Sequence, residues 1–154
     1  MDALADWWRD HGKQRYPQAK ELLLLSDGGG SNGCRPRLWK RSLQQWCDRS
    51  GLSVTVCHYS TGASKWNPVE HRLFSAISIN WAATPLRTLS TMLACLRGTK
   101  TQSGLKVTAK VNERIYPTKI KVSNQEMKSL NLQRHSICPL WNYTLCPRPT
   151  ASGP

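Results

Sequence analysis

The feature that most constrains the fold is a strand, helix and strand pattern in the first half of the chain. A short apolar run at 21–26, bounded by turn residues, predicts a strand buried on both faces. A helix is predicted at 36–50, beginning at a proline and capped by Gly51. Residues 53–58 are rich in β-branched side chains and predict a second strand. We therefore expect an α/β fold in which these strands are neighbours in one sheet.

The helix predicted at 36–50 is amphipathic, which is typical of a helix that packs on a sheet. Its apolar face comprises Leu38, Trp39, Ser42, Leu43 and Trp46, and its polar face comprises Lys40, Arg41, Gln44 and Asp48.

Other segments also carry periodic patterns. Apolar residues recur at helical spacing in 3–15 and from Asn67 to about Ile79. Apolar and polar residues alternate over 105–111, which predicts a half-exposed strand. The remaining predictions are a helix at 86–96, a short extended piece at 120–122, a helix at 124–130 opened by a capping box of Ser123 and Glu126, a last strand at 141–145 and a disordered tail at 147–154.

The net charge of the 154-residue chain is +13, and it is unevenly distributed. Residues 97–154 carry ten basic and two acidic side chains, whereas residues 1–30 carry four basic and five acidic ones. Such a charge indicates a polyanionic partner, and nucleic acid is favoured. A basic but inert surface is the alternative.

The six cysteines show no C-x-x-C spacing, so neither a zinc site nor a redox pair is predicted. We expect all six to be reduced, in a cytosolic protein. The acidic N-terminus resembles no signal peptide, and the apolar run is too short to span a bilayer.

Asp27 directly follows the first predicted strand and precedes Gly28, Gly29 and Gly30. An aspartate before glycine is an ordinary turn residue, but three glycines exceed what a turn needs and allow a phosphate to approach closely. No G-K-[ST] follows, which excludes a P-loop, and the formal G-x-G-x-x-G match is weak. His58, at the end of the second strand, is a further candidate to hold a phosphate or to orient a carboxylate.

Glu70 lies at the start of the helix that begins near Asn67. Its spacing from Asn67 fits a capping box, in which the carboxylate only satisfies a backbone N–H. Yet Glu70 falls on the apolar arc of that helix, where a carboxylate is costly without a cation. We favour a metal ligand over a cap. A strand-end aspartate and a helix-start glutamate are typical of a metal-dependent nuclease or strand-transfer site, which also needs a third carboxylate.

Several motifs together resemble the Rhodopirellula-type family of insertion-sequence DDE transposases, over nearly the whole chain. They are Asp-Gly-Gly-Gly-Ser-Asn-Gly at 27–33, Leu-Trp-Lys at 38–40, Cys-His at 57–58, Ser-Lys-Trp-Asn-x-x-Glu-His-Arg-Leu-Phe-Ser at 64–75, Asn-Trp at 80–81, Pro-Leu at 85–86, Thr-x-x-Gly-Leu-Lys-Val at 101–107, Tyr-Pro at 116–117, Ile-Lys-Val-Ser at 120–123 and Trp-Asn-Tyr-Thr at 141–144.

The resemblance implies a ribonuclease-H-like, retroviral-integrase-like catalytic domain at 1–82 that lacks its first strands, followed by a basic α+β extension at 83–146. It implies that Asp27 and Glu70 are the second and third catalytic carboxylates and metal ligands. With the first aspartate they would hold two Mg²⁺ or Mn²⁺ ions for DNA cleavage and strand transfer.

The first aspartate and its strands are expected to precede residue 1. Asp2, Asp6 and Asp10 lie on a predicted helix where the fold needs a central strand, so none fits the missing ligand. We therefore expect a transposase fragment that is inactive alone, with the missing N-terminal part or other protomers as protein partners, in the bacterial cytoplasm near the nucleoid.

The resemblance and the charge together imply DNA as partner, both transposon ends and target. The candidate phosphate contacts are Arg35, Arg37, Lys40, Lys65, Arg72, Lys106, Lys110, Lys119 and Lys121, and the candidate structural residues are Gly28, Gly29, Gly30 and Asn67. Two alternatives stay open: a non-catalytic DNA-binding or regulatory product, and a degenerate pseudogene product.

Overall fold

The structure is a computed structural model that describes residues 1–60 and 62–149. The chain divides into two compact units. The sheet unit contains the described residues 1–60 and 118–149, and the helical unit is Gly62–Pro117.

The sheet unit holds all four strands and three of the five helices of the described chain. Helix α1 consists of Asp2–Trp7, a π-helical segment Trp8–Gly12 and a last turn Lys13–Arg15. The other elements of this unit are β1 (Glu21–Asp27), α2 (Arg37–Ser50), β2 (Ser53–Tyr59), α5 (Asn124–Lys128), β3 (Leu132–Arg134) and β4 (Asn142–Leu145).

The helical unit is built from short helices. A 3₁₀ turn at Ala63–Trp66 precedes α3, which comprises a π-helical segment Glu70–Phe74 and an α-helical segment Ser75–Asn80. Helix α4 is Leu89–Gly98, and it begins later than predicted because the Thr88 hydroxyl caps it, accepting the N–H of Thr91 at 3.1 Å.

The sheet has the strand order β1, β2, β4, β3. The β1 and β2 strands are parallel, with Leu23 opposite Thr55, and β4 is antiparallel to both β2 and β3. The prediction that the first two strands are neighbours is confirmed. Because β1 stands at one end of this order, one of its edges pairs with no described strand.

The core lies on one face of the sheet. Leu43 and Trp46 of α2 pack there against Val54 and Val56 of β2 and Tyr143 of β4. The prediction that β1 is buried on both faces is wrong. Because successive side chains of a strand point to opposite faces, α2 covers only one of them. On the other face Leu23 and Leu25 are 59% and 55% exposed.

The predicted polar face of α2 is also partly wrong, because Gln44 and Lys40 are buried. The Gln44 amide donates to the Cys146 carbonyl at 2.8 Å and accepts the N–H of Asn131 at 2.7 Å. These hydrogen bonds offset the cost of burying the amide. The pattern of α2 alone could not reveal them, since both partners come from the C-terminal part of the chain.

Several shorter predictions have mixed outcomes. Residues 105–111 alternate in burial as expected, except at Val111, but form no strand, because only an isolated bridge joins Lys100 to Lys106. Residues 120–122, predicted as a short extended piece, belong to no helix or strand of the described chain. The capping box of Ser123 and Glu126 is confirmed, as is the last strand, whereas β3 was not predicted. Of the predicted disordered tail, 147–149 are described, with Arg148 paired to Asp48, and 150–154 lie outside the described residues.

Candidate functional site

Asp27 is the last residue of β1, paired in register with Tyr59 of β2. Its side chain is exposed, and its carboxylate forms no hydrogen bond or ion pair with any described residue. In an α/β sheet, ligands bind beyond the carboxyl ends of parallel strands, which is the end that Asp27 occupies. The carboxylate is therefore open to a ligand from outside the sheet unit.

The glycine loop, Gly28–Gly33, follows Asp27 directly. A Cβ on Gly28 would lie 2.9 Å from the carbonyl oxygen of Tyr59, and Gly30 has a φ of 70°. Both positions therefore require glycine, for steric and backbone reasons respectively. A Cβ on Gly29 would meet nothing within 4 Å, so the packing of the chain does not explain why position 29 is a glycine.

Two basic side chains, Lys40 and His58, are buried and contact the backbone at the end of this loop. The Lys40 ammonium donates to the Cys34 carbonyl at 2.7 Å and lies 5.5 Å from the centre of the Tyr143 ring. Burial lowers the pKa of Lys40, and the positive charge of Arg134 adds to the shift. Lys40, a candidate DNA contact from its sequence position, is only 7% exposed and supports the loop from within.

His58 is the second of these side chains. Its Nδ1 lies 2.6 Å from the Trp141 carbonyl oxygen, and its Nε2 lies 3.0 Å from the Asn32 carbonyl oxygen. The ring thus contacts two backbone carbonyls rather than a carboxylate. Burial raises the pKa of the neighbouring Tyr143 phenol to about 12, so that phenol is neutral.

Glu70, in the helical unit, is the first residue of the π-helical segment of α3. Such segments occur often at functional sites. The Asn67 side chain accepts the N–H of Val69 at 3.1 Å, which caps the helix start. The Glu70 carboxylate bonds to no described residue, so the reciprocal half of a capping box is not formed here. Glu70 is half-buried, while Ile77, on the same predicted arc, is buried.

The segment before α3 is fastened to that helix. Nε2 of His71 lies 2.9 Å from the Lys65 carbonyl oxygen, and the Lys65 ammonium lies 5.4 Å from the Trp66 ring centre. Arg72 lines an adjacent cavity of about 770 Å³. The other lining residues are His71, Ser75, Ala76, Ile79, Asn80, Lys100, Thr101, Ser103, Gly104 and Leu105, none of them acidic. No motif in the sequence marks Lys100, because only the fold places it in the same cavity as Arg72.

Most of the predicted DNA contacts are at the surface. Arg35, Arg37, Lys65, Arg72, Lys106, Lys110, Lys119 and Lys121 are exposed. Arg37 also donates to the Asn124 side chain at 2.7 Å, which ties α2 to α5. The helical unit contains eight Lys and Arg but only two Glu, so it carries much of the charge available to a polyanion.

The described residues contain no group of three or more His, Cys, Asp or Glu that could hold a metal ion. Asp6 and Asp10 lie on α1 and pair with Arg9. All six cysteines are free, as predicted. Among the helices of the described chain, none has the length and apolar character to cross a bilayer.

Comparison with protein families decides the identity of this chain. Residues 1–147 match the family described as Rhodopirellula transposase DDE domain. The chain belongs to this family of DDE transposases. Neither the curated proteins nor the solved structures contain a match. DDE transposase domains generally use divalent metal ions, and the family implies DNA binding.

Proposed function

We propose that this DDE transposase chain supplies two of three catalytic carboxylates, Asp27 and Glu70, for DNA cleavage and strand transfer in a complete enzyme. The observation that carries the proposal is the position of Asp27. It is an exposed carboxylate, without a partner among the described residues, at the carboxyl end of a parallel strand. Its glycine loop contains one glycine that packing leaves unexplained.

The chemistry of the two carboxylates fits Mg²⁺ or Mn²⁺, since both are hard ions that prefer oxygen ligands. Asp27 and Glu70 would hold two such ions together with a third carboxylate. When bound, the ions would activate the attacking water or hydroxyl and stabilise the leaving oxygen of the phosphodiester. The described residues contain no group of three such ligands, and the third carboxylate would come from another part of the complete transposase.

Other residues of this chain would bind and position the DNA. The glycine loop would let the DNA backbone approach Asp27, because Gly29 and Gly30 offer no side chain to block it. Lys65 and Arg72, both exposed in the helical unit, would hold phosphates near Glu70. Lys65 would act as a point charge, and Arg72 would bind a phosphate through two parallel hydrogen bonds.

The third carboxylate would arrive on another strand. The outer edge of β1 pairs with no described strand, so its backbone groups are available for strand addition. Leu23 and Leu25 beside it are apolar and exposed. We propose that β1 pairs with a strand of a ribonuclease-H-like core, carried by the N-terminal part of the transposase or by another protomer. Residues 1–82 would then be catalytic and 83–146 a basic extension.

A cleavage assay with labelled transposon-end DNA and Mg²⁺ tests this function. We expect no cutting by the 154-residue chain alone, and cutting when the upstream part of the transposase is supplied. The matched variants Asp27→Asn and Glu70→Gln, which keep side-chain size, should each abolish it. Glu113→Gln, in the same helical unit as Glu70, is the control and should cut normally. Cutting by the unaccompanied chain that depends on Glu70 would refute the incomplete site.

A second candidate function is DNA binding without catalysis. It is favoured by the net charge of +13 and by the basic helical unit. Binding would then run through phosphates, with little preference for sequence and a steep loss of affinity with salt. The distinguishing result is a reconstituted complex that binds DNA but never cuts it.

The same DNA binding can be measured directly by titrating fluorescent duplex DNA at several salt concentrations. Replacing Lys106, Lys110, Lys119 and Lys121 with Glu should weaken binding and reduce the salt slope by about 0.9 for each phosphate that the variant no longer neutralises. The control replaces Lys13 and Lys20, which lie among the acidic residues of the N-terminus. Affinity that does not change with salt would contradict a DNA partner.

A further inference from the structure

Part of the Thr-x-x-Gly-Leu-Lys-Val motif at 101–107 forms one wall of the cavity of about 770 Å³ in the helical unit. Its first residues fold into a tight turn. The Gly104 N–H donates to the Thr101 carbonyl at 3.1 Å, and the Thr101 N–H donates to the Leu105 carbonyl at 3.2 Å. Gly104 has a φ of 95°, which favours glycine at this position. The motif therefore builds a defined turn at the edge of the cavity.

Helix α3 forms the other wall of the cavity. Arg72, Ala76 and Ile79 line it and are each separated by about one helical turn, so they lie along one face of the helix. The Ser75 hydroxyl, which is also part of the lining, donates to the Glu70 carbonyl at 3.0 Å. The cavity therefore adjoins the turn of α3 that carries Glu70.

The lining of the cavity is rich in hydrogen-bond donors. Arg72 and Lys100 both line it, and neither side chain forms a hydrogen bond or an ion pair with any described residue. The Thr101 hydroxyl accepts the Leu105 N–H at 3.1 Å and lies 2.9 Å from the Ser103 hydroxyl. When Thr101 donates to Ser103, the Ser103 proton is free for an acceptor in the cavity. Such donors, with no acidic residue among the lining, suit an anion.

We propose that this cavity binds one phosphate of the DNA backbone, which Arg72 and Lys100 hold jointly. The planar guanidinium matches two oxygens of a phosphate, and the ammonium supplies a second positive charge. The volume lies within the range of about 300–1,000 Å³ that is typical of ligand sites, so the phosphate would enter with part of its sugar. Lys100 is then a positioning residue for the DNA strand beside Glu70, a role that rests on the proposed function.

The sharing of one phosphate distinguishes this site from a generally basic surface. Two surface cations that contact separate phosphates contribute independently to binding, so the free-energy losses from removing them add. Two cations that hold the same phosphate are coupled, because removing the first already releases the group that the second contacts. Removing both should therefore cost less binding free energy than the sum of the two single losses.

Titration of fluorescent duplex DNA with the 154-residue protein, without metal, measures this coupling. Arg72→Gln and Lys100→Gln should each weaken binding on the order of tenfold at low salt, and the double variant should lose much less than the product of the two single losses. Lys100→Arg, which keeps the charge, should bind about as tightly as the parent protein.

The control for these variants is Arg87→Gln. It removes one exposed positive charge from the same unit, outside the cavity, and should have a smaller effect than Lys100→Gln. Single losses that multiply fully in the double variant would overturn the shared phosphate site. Equal losses from Lys100→Gln and Arg87→Gln would also overturn it.

Amide NMR of the same protein locates the phosphate. Duplex DNA should shift the amide signals of Thr101 and Gly104 in the parent protein but not in Lys100→Gln, and inorganic phosphate, added separately, should shift the same signals. Shifts with inorganic phosphate alone would assign the cavity to a small phosphate ligand and overturn the DNA site, as would no shift with either. Failure of the cleavage assay with these binding results intact would count against the catalytic roles of Asp27 and Glu70 alone.

Discussion

The sheet unit and the helical unit use their apolar residues in opposite ways. In the sheet unit, Leu43, Val56 and Tyr143 have no solvent exposure and form one cluster between α2 and the sheet. In the helical unit, Ile77 is the one buried apolar side chain among the described residues, and Ile79 is 78% exposed. A unit of this size buries little apolar surface by itself.

The two units are stabilised by different kinds of interaction. The sheet unit is specified by long-range packing, because its cluster joins residues from both ends of the chain. The helical unit depends on local hydrogen bonds, such as the caps by Asn67 and Thr88. A unit with few buried contacts opens easily, and elements of low local stability are those that move on binding. We therefore expect the basic helical unit to adapt to a partner, and the sheet unit to hold Asp27 in place.

The largest effect should follow from Leu43→Ala. This fully buried side chain fills the space between α2 and the sheet, so its truncation should lower the free energy of unfolding by about 2–5 kcal/mol. Urea unfolding followed by tryptophan fluorescence measures the change. Ile77→Ala is the matched truncation in the helical unit and should cost less, since few buried neighbours surround it. Equal losses from the two variants would remove the contrast between the units.

The next effect concerns the glycine loop that directly follows Asp27 in the sheet unit. Gly28→Ala places a Cβ 2.9 Å from the Tyr59 carbonyl oxygen and should lower the free energy of unfolding by about 1–3 kcal/mol. Gly29→Ala meets nothing and should stay within about 0.5 kcal/mol of the parent protein. Thermal denaturation of both variants compares them. If Gly29→Ala proves as costly as Gly28→Ala, the loop is packed more tightly than the structure indicates.

A smaller effect is expected from Glu126, which joins α5 to α2 in the sheet unit. Hydrogen bonds from the Ser123 N–H and from Arg41 hold its pKa at about 2. Because this pKa is depressed, the stabilisation is present above the ordinary value of 4.5 and is lost as the pH falls from 4.5 towards 2. Glu126→Gln should flatten the dependence of stability on pH in that range, measured by urea unfolding. Glu113→Gln, exposed in the helical unit, is the control; an equal flattening there would show a general charge effect.

The smallest effect should come from exposed apolar residues. Ile79→Ser in the helical unit and Leu23→Ser on the open face of β1 should each change the free energy of unfolding by less than about 0.5 kcal/mol. A large loss for Ile79→Ser alone would reveal packing in the helical unit, and would weaken the contrast between the two units. Chemical denaturation at low protein concentration provides the measurement.

Local signals in the sequence predicted much of the fold. The strand, helix and strand pattern, the Gly51 cap and the capping box of Ser123 and Glu126 are all confirmed. Each depends on atoms within a few residues of one another, which a sequence window contains. The motifs at 27–33 and 64–75 likewise carried enough information to identify the transposase family, which the match over residues 1–147 confirms. The catalytic roles of Asp27 and Glu70 stay predictions.

Tertiary structure decided what periodicity could not. The amphipathic pattern of α2 placed Lys40 and Gln44 on the polar face, yet carbonyl oxygens of Cys34 and Cys146 satisfy them inside the protein. The apolar run of β1 predicted two buried faces, yet helix packing covers only one. His58 was predicted to hold a phosphate or to orient a carboxylate, yet in the fold its ring contacts the carbonyls of Asn32 and Trp141. The physical reason is the same throughout: burial and hydrogen-bond partners come from residues far away in sequence, and only folding brings them together.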